Sequence, residues 1–162
     1  MSENTLKRND KRDIVEKYFD MIYKLALSQT KNRDSADDVV QEVFLRFLKS
    51  DKDFQSDEHI KAWLIRVTVN CCHNVFSNSW AQKTEPLTED IAFDTEEKGD
   101  VYYAVLELPQ KYRAVIHLFY YEDMSIEEIS KALGSNQSTV KSQLSRGRKM
   151  LKNMLEGGYG LV

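Results

Sequence analysis

The stretch from Ser125 to Leu155 spells two amphipathic helices around a single glycine, and no other feature constrains this chain's fold as much. Ser125 and Glu128 have the spacing of a capping box, in which each side chain satisfies a free backbone N–H at a helix start. Gly134 follows Leu133 as a terminator, because glycine accepts the left-handed conformation that ends a helix. Asn136 or Ser138 can then cap a second helix running to about Leu155. Along it Val140, Leu144, Gly147 and Leu151 recur at helical steps, so they share one face, predicted to lie against the first helix. The opposite face presents Ser138, Thr139, Lys141, Ser142, Ser145, Arg146, Lys149 and Lys152. Residues 136–153 carry five basic groups and no acid. Two helices joined by a short Gly-containing turn make a helix-turn-helix. Small hydroxyls let such a helix approach a groove closely, and Arg and Lys reach base edges or phosphates. The pattern predicts DNA binding, whereas a basic stripe without the capped partner helix would read as a solvated surface.

The first half repeats the helical periodicity. Ile14, Tyr18, Ile22 and Leu25 make one buried face of a helix from Arg12 to Lys31. Ser35 and Asp38 resemble a capping box opening a second helix to Lys49, with Val39, Val40, Val43, Phe44 and Phe47 inside. A polar break, Asp51–Asp57, precedes a third helix from about Glu58 to Ser79. That helix is apolar on two sides: Trp63, Leu64, Val67, Cys71 and Val75 form one stripe, and Ile65, Val69, Cys72 and Phe76 another. Such a helix is either sandwiched or offers one face to a partner. Two further helices, Val101–Leu108 and Gln110–Tyr121, lie ahead of the helix-turn-helix on either side of Pro109. No segment reads as strand. The fold class is all-α: two small helical domains, 10–80 and 101–156, joined by a flexible acidic linker, the second containing the helix-turn-helix. The linker, 81–100, holds two basic and seven acidic residues together with Pro86 and Gly99.

Charge must be read locally. The formal net charge of −3 argues against a nucleic-acid partner until the acidic linker is separated from the basic helix. No window approaches the roughly 18 apolar residues of a membrane span, and the first residues lack the apolar core of a secretory signal, so a soluble cytoplasmic protein with no membrane insertion of its own is expected. Cys71 and Cys72 are neighbours without a distant partner, which excludes a disulfide framework. With His73 they point in different directions on a helix, so no metal is expected, and one thiol is expected buried beside an exposed one. There is no catalytic motif, no Gly-rich phosphate loop and no cofactor signature, so an enzyme has no positive feature. The glycine-bearing tail 157–162 reads as a frayed end.

Several blocks together carry a family resemblance. Leu108-Pro109-x-Lys111-Tyr112-Arg113, Tyr120-Tyr121-Glu122-Asp123-Met124-Ser125-x-Glu127-Glu128-Ile129 and Ser138-Thr139-Val140-Lys141-Ser142-x-Leu144-Ser145-Arg146-Gly147-Arg148 resemble the domain of bacterial sigma factors that reads the promoter −35 element. Ala36-Asp37-Asp38-Val39-Val40-Gln41-Glu42-Val43-Phe44-Leu45-Arg46 resembles the segment that docks on core RNA polymerase. Lys61-Ala62-Trp63-Leu64-Ile65-Arg66-Val67-x-Val69-Asn70 resembles the segment that melts and reads the −10 element. Two such domains with nothing else are similar to the extracytoplasmic-function group. The resemblance covers about residues 10–80 and 101–155, and implies core RNA polymerase, promoter DNA and an anti-sigma factor as partners. It assigns Ser138, Thr139, Lys141, Ser142, Ser145, Arg146 and Lys149 to the −35 element. It assigns Lys61, Ile65, Arg66 and Asn70 to the −10 strand, with Asp51–Glu58 as a base-capturing loop. Asp38, Gln41, Glu42 and Leu45 fall to polymerase docking, where a leucine ringed by acids and an amide suits a basic partner helix. Trp63 reads better as core than as a DNA contact.

The chain departs from that pattern in two places. Residues 67–82 contain no Lys or Arg where the family often carries an arginine cluster, which removes phosphate contacts and should make binding by the first domain weaker and less salt-sensitive. Gln143 stands where Arg is common. Two rival readings remain open: a helix-turn-helix regulator acting without polymerase, and a degenerate sigma-like protein acting only by interaction.

Overall fold

The computed structural model describes residues 2–77 and 99–157, with side chains over 10–74 and 99–157. The expected linker therefore lies almost wholly outside the described residues, as do the tail beyond Gly157 and the side chains of Val75 and Phe76. The described residues are helical, without strand: α1 (Ser2–Thr30), α2 (Arg33–Lys49), α3 (Asp57–Ser77), α4 (Gly99–Glu107), α5 (Gln110–Ile116), α6 (Ile126–Leu133) and α7 (Gln137–Gly157). A wide π-type turn, His117–Tyr121, continues α5.

Local chemistry sets most boundaries. The Ser125 hydroxyl accepts from the Glu128 N–H and the Glu128 carboxylate accepts from the Ser125 N–H, both at 3.1 Å, so the box forms as expected. The Ser125 N–H, and after it the Ser125 hydroxyl, hold the Glu128 carboxyl below its ordinary pKa. Gly134 ends α6 at φ +70°. Asn136 caps α7, its amide oxygen accepting from the Thr139 N–H at 2.8 Å. Ser125→Ala is expected to cost about 1 kcal/mol, lowering the thermal midpoint by roughly 2–4 °C, as differential scanning fluorimetry would register.

Two expectations are corrected. The cap of α2 is Asn32, whose Oδ1 accepts from the Ser35 N–H at 2.9 Å; Ser35 lies inside the first turn, and the box with Asp38 does not form. Cys71 and Cys72 are both buried, so neither is the exposed thiol. Burial pushes both thiols up, Cys72 to about 12.

The question left by α3's two stripes is resolved as a sandwich. Leu64 and Ile65, on opposite stripes, are both fully buried. Cys71 feels the charges of Arg46 and Glu42 on α2, whereas Cys72 feels that of Arg113 on α5. The buried apolar cluster accordingly runs without a break from Tyr18 in the first half to Leu144 in the second.

Candidate nucleic-acid interface

On α7 the packing and solvent faces separate as the periodicity predicted. Val140, Leu144 and Gly147 are buried, and Ser138, Thr139, Lys141, Ser142, Ser145, Arg146 and Lys149 are all exposed. The packing partner differs from the expectation at Gly147, which lies on α5 instead of α6. A Cβ there would come within 3.0 Å of Ile116 and 3.6 Å of Tyr112. The Arg146 guanidinium beside the Tyr112 hydroxyl holds that phenol below its ordinary pKa. Arg148 turns away from the basic face: it stacks over the Phe119 and Tyr120 rings, its Nε donating to the Tyr120 hydroxyl at 2.6 Å. Lys152 is exposed as expected and also borders an apolar groove of about 470 Å³ lined by Val101, Leu151 and Leu155. The sequence reading missed this groove, because its walls come from three separate segments.

The loop ahead of α3 is tied down at both ends. Asp57, first residue of the helix, accepts from Lys17 at 2.8 Å and from the Tyr18 hydroxyl, both on α1. These bonds hold its carboxyl below the usual range, Lys17 contributing most. Phe54 rests on Phe47 and edge-on against Trp63 and His59. Trp63 also packs on Phe47, and this half-buried position supports its reading as core. Across a polar cleft of about 570 Å³, Ser56, His59 and Lys61 face Met124 and Glu128 at the start of α6.

Of the four residues expected along the −10 strand path, Asn70 is exposed and Lys61 half-buried at that cleft. Ile65 is corrected. It has no solvent-accessible surface, because the second apolar stripe of α3 is covered, so it supports the path from beneath at most. Arg66 is exposed yet engaged: its Nη2 donates to the Lys131 carbonyl at 2.7 Å and its Nε to the Ala132 carbonyl at 3.1 Å, at the C-terminal end of α6. Arg113, quoted above only as part of a resembling block, was given no role of its own by the sequence. Buried, it donates from Nη1 to the Ser28 and Gln29 carbonyls, each at 2.9 Å, and from Nε and Nη2 to the Leu108 carbonyl.

On α2 the residues expected to dock polymerase all lie outside. Asp38, Gln41 and Glu42 are exposed, and Leu45 is 49% exposed on the same side. Glu42 is paired with Arg46 at 2.8 Å, a surface pair that a partner can exchange at little cost.

Comparison with known proteins agrees with this geometry. The family models for Sigma-70 region 2 and Sigma-70 region 4 match residues 14–82 and 98–151. The chain is 33% identical to RNA polymerase sigma factor SigV of Bacillus subtilis, over 82% of this chain and 83% of that one. It is 30% identical to ECF RNA polymerase sigma factor SigW of the same organism, over 88% and 87%. The solved structure of CnrH, in complex with the cytosolic domain of CnrY, has the same fold, with a TM-score of 0.74 over 93% of this chain and 90% of that one at 22% identity. Sigma factor RpoE from Bartonella quintana, solved with the anti-sigma factor NepR, gives 0.65 over 92% and 98% at 21% identity. Both halves match in chain order, and the chain belongs to the extracytoplasmic-function group of RNA polymerase sigma factors, promoter-specific regulators of transcription initiation.

Proposed function

We propose that this chain docks on core RNA polymerase through Asp38, Gln41, Glu42 and Leu45, reads a −35 element with Ser138–Lys149, and opens a −10 element along α3. The observation that carries this reading is the division of α7: one face is consumed by packing, while seven hydroxyl and basic residues face solvent without an acid among them. Opening a −10 element breaks no covalent bond. It requires that melted bases be held by stacking and hydrogen bonds which offset the stacking they lose. Lys61, Arg66 and Asn70 supply the polar groups, with Trp63 packed on Phe47 and Phe54 beside the loop ahead of α3. The functional units on this reading are 10–80 and 101–156, with 81–100 between them. The chain acts in the cytoplasm, needs no cofactor and has no catalytic residue. CnrH and RpoE are each solved with a bound partner, NepR being an anti-sigma factor, which supports an anti-sigma factor as a partner here too.

The test is run-off transcription with purified core polymerase on the promoter upstream of this protein's own coding sequence, with permanganate footprinting of the −10 region. Transcript and reactive thymines are expected only when the chain is present. Arg146→Ala and Lys141→Ala should each weaken promoter binding by about 1–3 kcal/mol where a base is contacted. A phosphate contact should instead lower the salt dependence. Unchanged transcription in both variants removes the recognition-face assignment, and co-elution with core without opening favours a protein acting by interaction alone.

A further inference from the structure

The exposed face of α7 is continued by the start of α5. Gly147 brings the two helices so close that a Cβ on it would stand 3.6 Å from Tyr112 Cβ and 3.0 Å from Ile116 Cγ1. Arg146 precedes that glycine, and its guanidinium lies beside the Tyr112 hydroxyl, acting on that phenol ahead of any other group.

The two side chains differ in how firmly they are held. Tyr112 lies in the first turn of α5, its N–H donating to the Pro109 carbonyl at 3.0 Å. The next residue, Arg113, fastens that turn to the Ser28, Gln29 and Leu108 carbonyls. The half-buried Tyr112 ring packs at the Gly147 contact, with the Lys111 ammonium 5.0 Å from its centroid. The phenol oxygen therefore stands on a fixed base. Arg146, by contrast, is a long exposed side chain on the solvent face.

That contrast matters for reading a base. Arginine recognises guanine by presenting two N–H groups in one plane to O6 and N7. A free arginine surrenders much of its rotamer freedom to do so. One acceptor beside the guanidinium removes part of that loss beforehand, and enough donors remain for the base edge. A carboxylate would hold the group more firmly, but it would set a negative charge against the phosphates and cut the counterion release that favours binding. A phenol supplies the oxygen without the charge. The surroundings agree: residues 136–153 contain no acid, and the other charge acting on Tyr112 is the cation of Lys111.

We propose that Tyr112 is a positioning residue for promoter recognition: its hydroxyl oxygen accepts from the Arg146 guanidinium and aims it at one base pair of the −35 element. The proposal rests on the recognition-face reading above.

The test uses holoenzyme assembled from purified core polymerase and the full chain. Its ligands are duplexes of the promoter upstream of the chain's own coding sequence, with each −35 base pair substituted in turn. Arg146→Ala identifies the base pair concerned, as the one whose substitution no longer lowers binding. Tyr112→Phe keeps the ring against Gly147 and beside Lys111, and removes only the oxygen. It should reduce the preference at that same base pair about three- to tenfold, the ordinary net effect of one hydrogen bond. Preference at the other positions, the salt dependence and the thermal midpoint should stay at wild-type values. In the Arg146→Ala background, Tyr112→Phe should change nothing further. A residue that merely packs would lower the midpoint or weaken every duplex equally, and either outcome overturns the proposal. Losses in the two variants that simply add overturn it as well. A preference intact in Tyr112→Phe beside one flattened in Arg146→Ala removes the positioning role and leaves the promoter reading standing. If Arg146→Ala flattens no position, the recognition-face assignment of Arg146 fails, and the role of Tyr112 falls with it.

Discussion

Arg113→Met is expected to lower the thermal midpoint by roughly 6–12 °C, the largest stability loss of any single substitution considered. Methionine keeps the apolar stem and loses every donor. The wild-type guanidinium binds three carbonyl oxygens, Ser28 and Gln29 at the end of α1 and Leu108 after α4. Its positive charge therefore sits against the negative ends of two helices. Burial works against that charge and brings its pKa down to about 10, still protonated at neutral pH. Hydrogen bonds to a charged group contribute about 1.5–3 kcal/mol each, and relief from burying the charge offsets part of the sum. A net loss of about 3 kcal/mol corresponds to the stated shift at about 2–4 °C per kcal/mol for a chain of this size. Arg113→Lys should recover only part of it, because one ammonium cannot span carbonyls on two helices. Scanning calorimetry decides the matter: a midpoint within 2 °C of wild type would mean that the clamp does not hold the two halves.

Arg113 also shows where a sequence stops speaking. Two of its three partners are 84 and 85 residues away, and nothing in a string of letters marks a cation that will find two helix ends. The same holds for Arg66, whose partners are 65 and 66 residues distant. What was legible is local. The capping box at Ser125 and the terminating Gly134 act within four residues of themselves, and both formed as read. Where two local signals competed, the reading slipped: Asn32 and Ser35 both offer a side-chain oxygen, and only the observed backbone shows Asn32 in the extended conformation of a cap. For Ile65 the stripe was read correctly as apolar, but a stripe cannot name what covers it. The outward faces of α2 and α7 were legible because amphipathic periodicity reports what a helix leaves to solvent as well as what it buries. Their roles came from the resemblance, which covers those same faces residue by residue.

Leu45→Asp is expected to weaken assembly with core polymerase at least thirtyfold while leaving the fold intact. The fold should tolerate it because Leu45 is 49% exposed and contributes nothing to the buried face of α2, which is made by Ala36, Val39, Val40, Val43, Phe44 and Phe47. Exposed substitutions of this kind usually fall within about 0.5 kcal/mol, with a similar amount for aspartate's poorer helix propensity. Binding is different. On the proposed docking face a leucine at the centre of the patch loses water on association, with Asp38, Gln41 and Glu42 as the polar rim that would exclude solvent. An aspartate there must be desolvated without a dedicated partner, and the loss of such an anchor is worth about 2 kcal/mol or more, roughly thirtyfold in affinity. Leu45→Ala removes the anchor without burying a charge and should cost less, which separates lost contact from introduced repulsion. Competition against labelled wild-type chain for core polymerase measures both, with circular dichroism as the control on folding. If Leu45→Asp competes as well as wild type, the docking face is not on this side of α2. If instead Leu45→Ala and Leu45→Asp lose affinity equally, the loss is that of the leucine's contact and the introduced charge adds nothing to it.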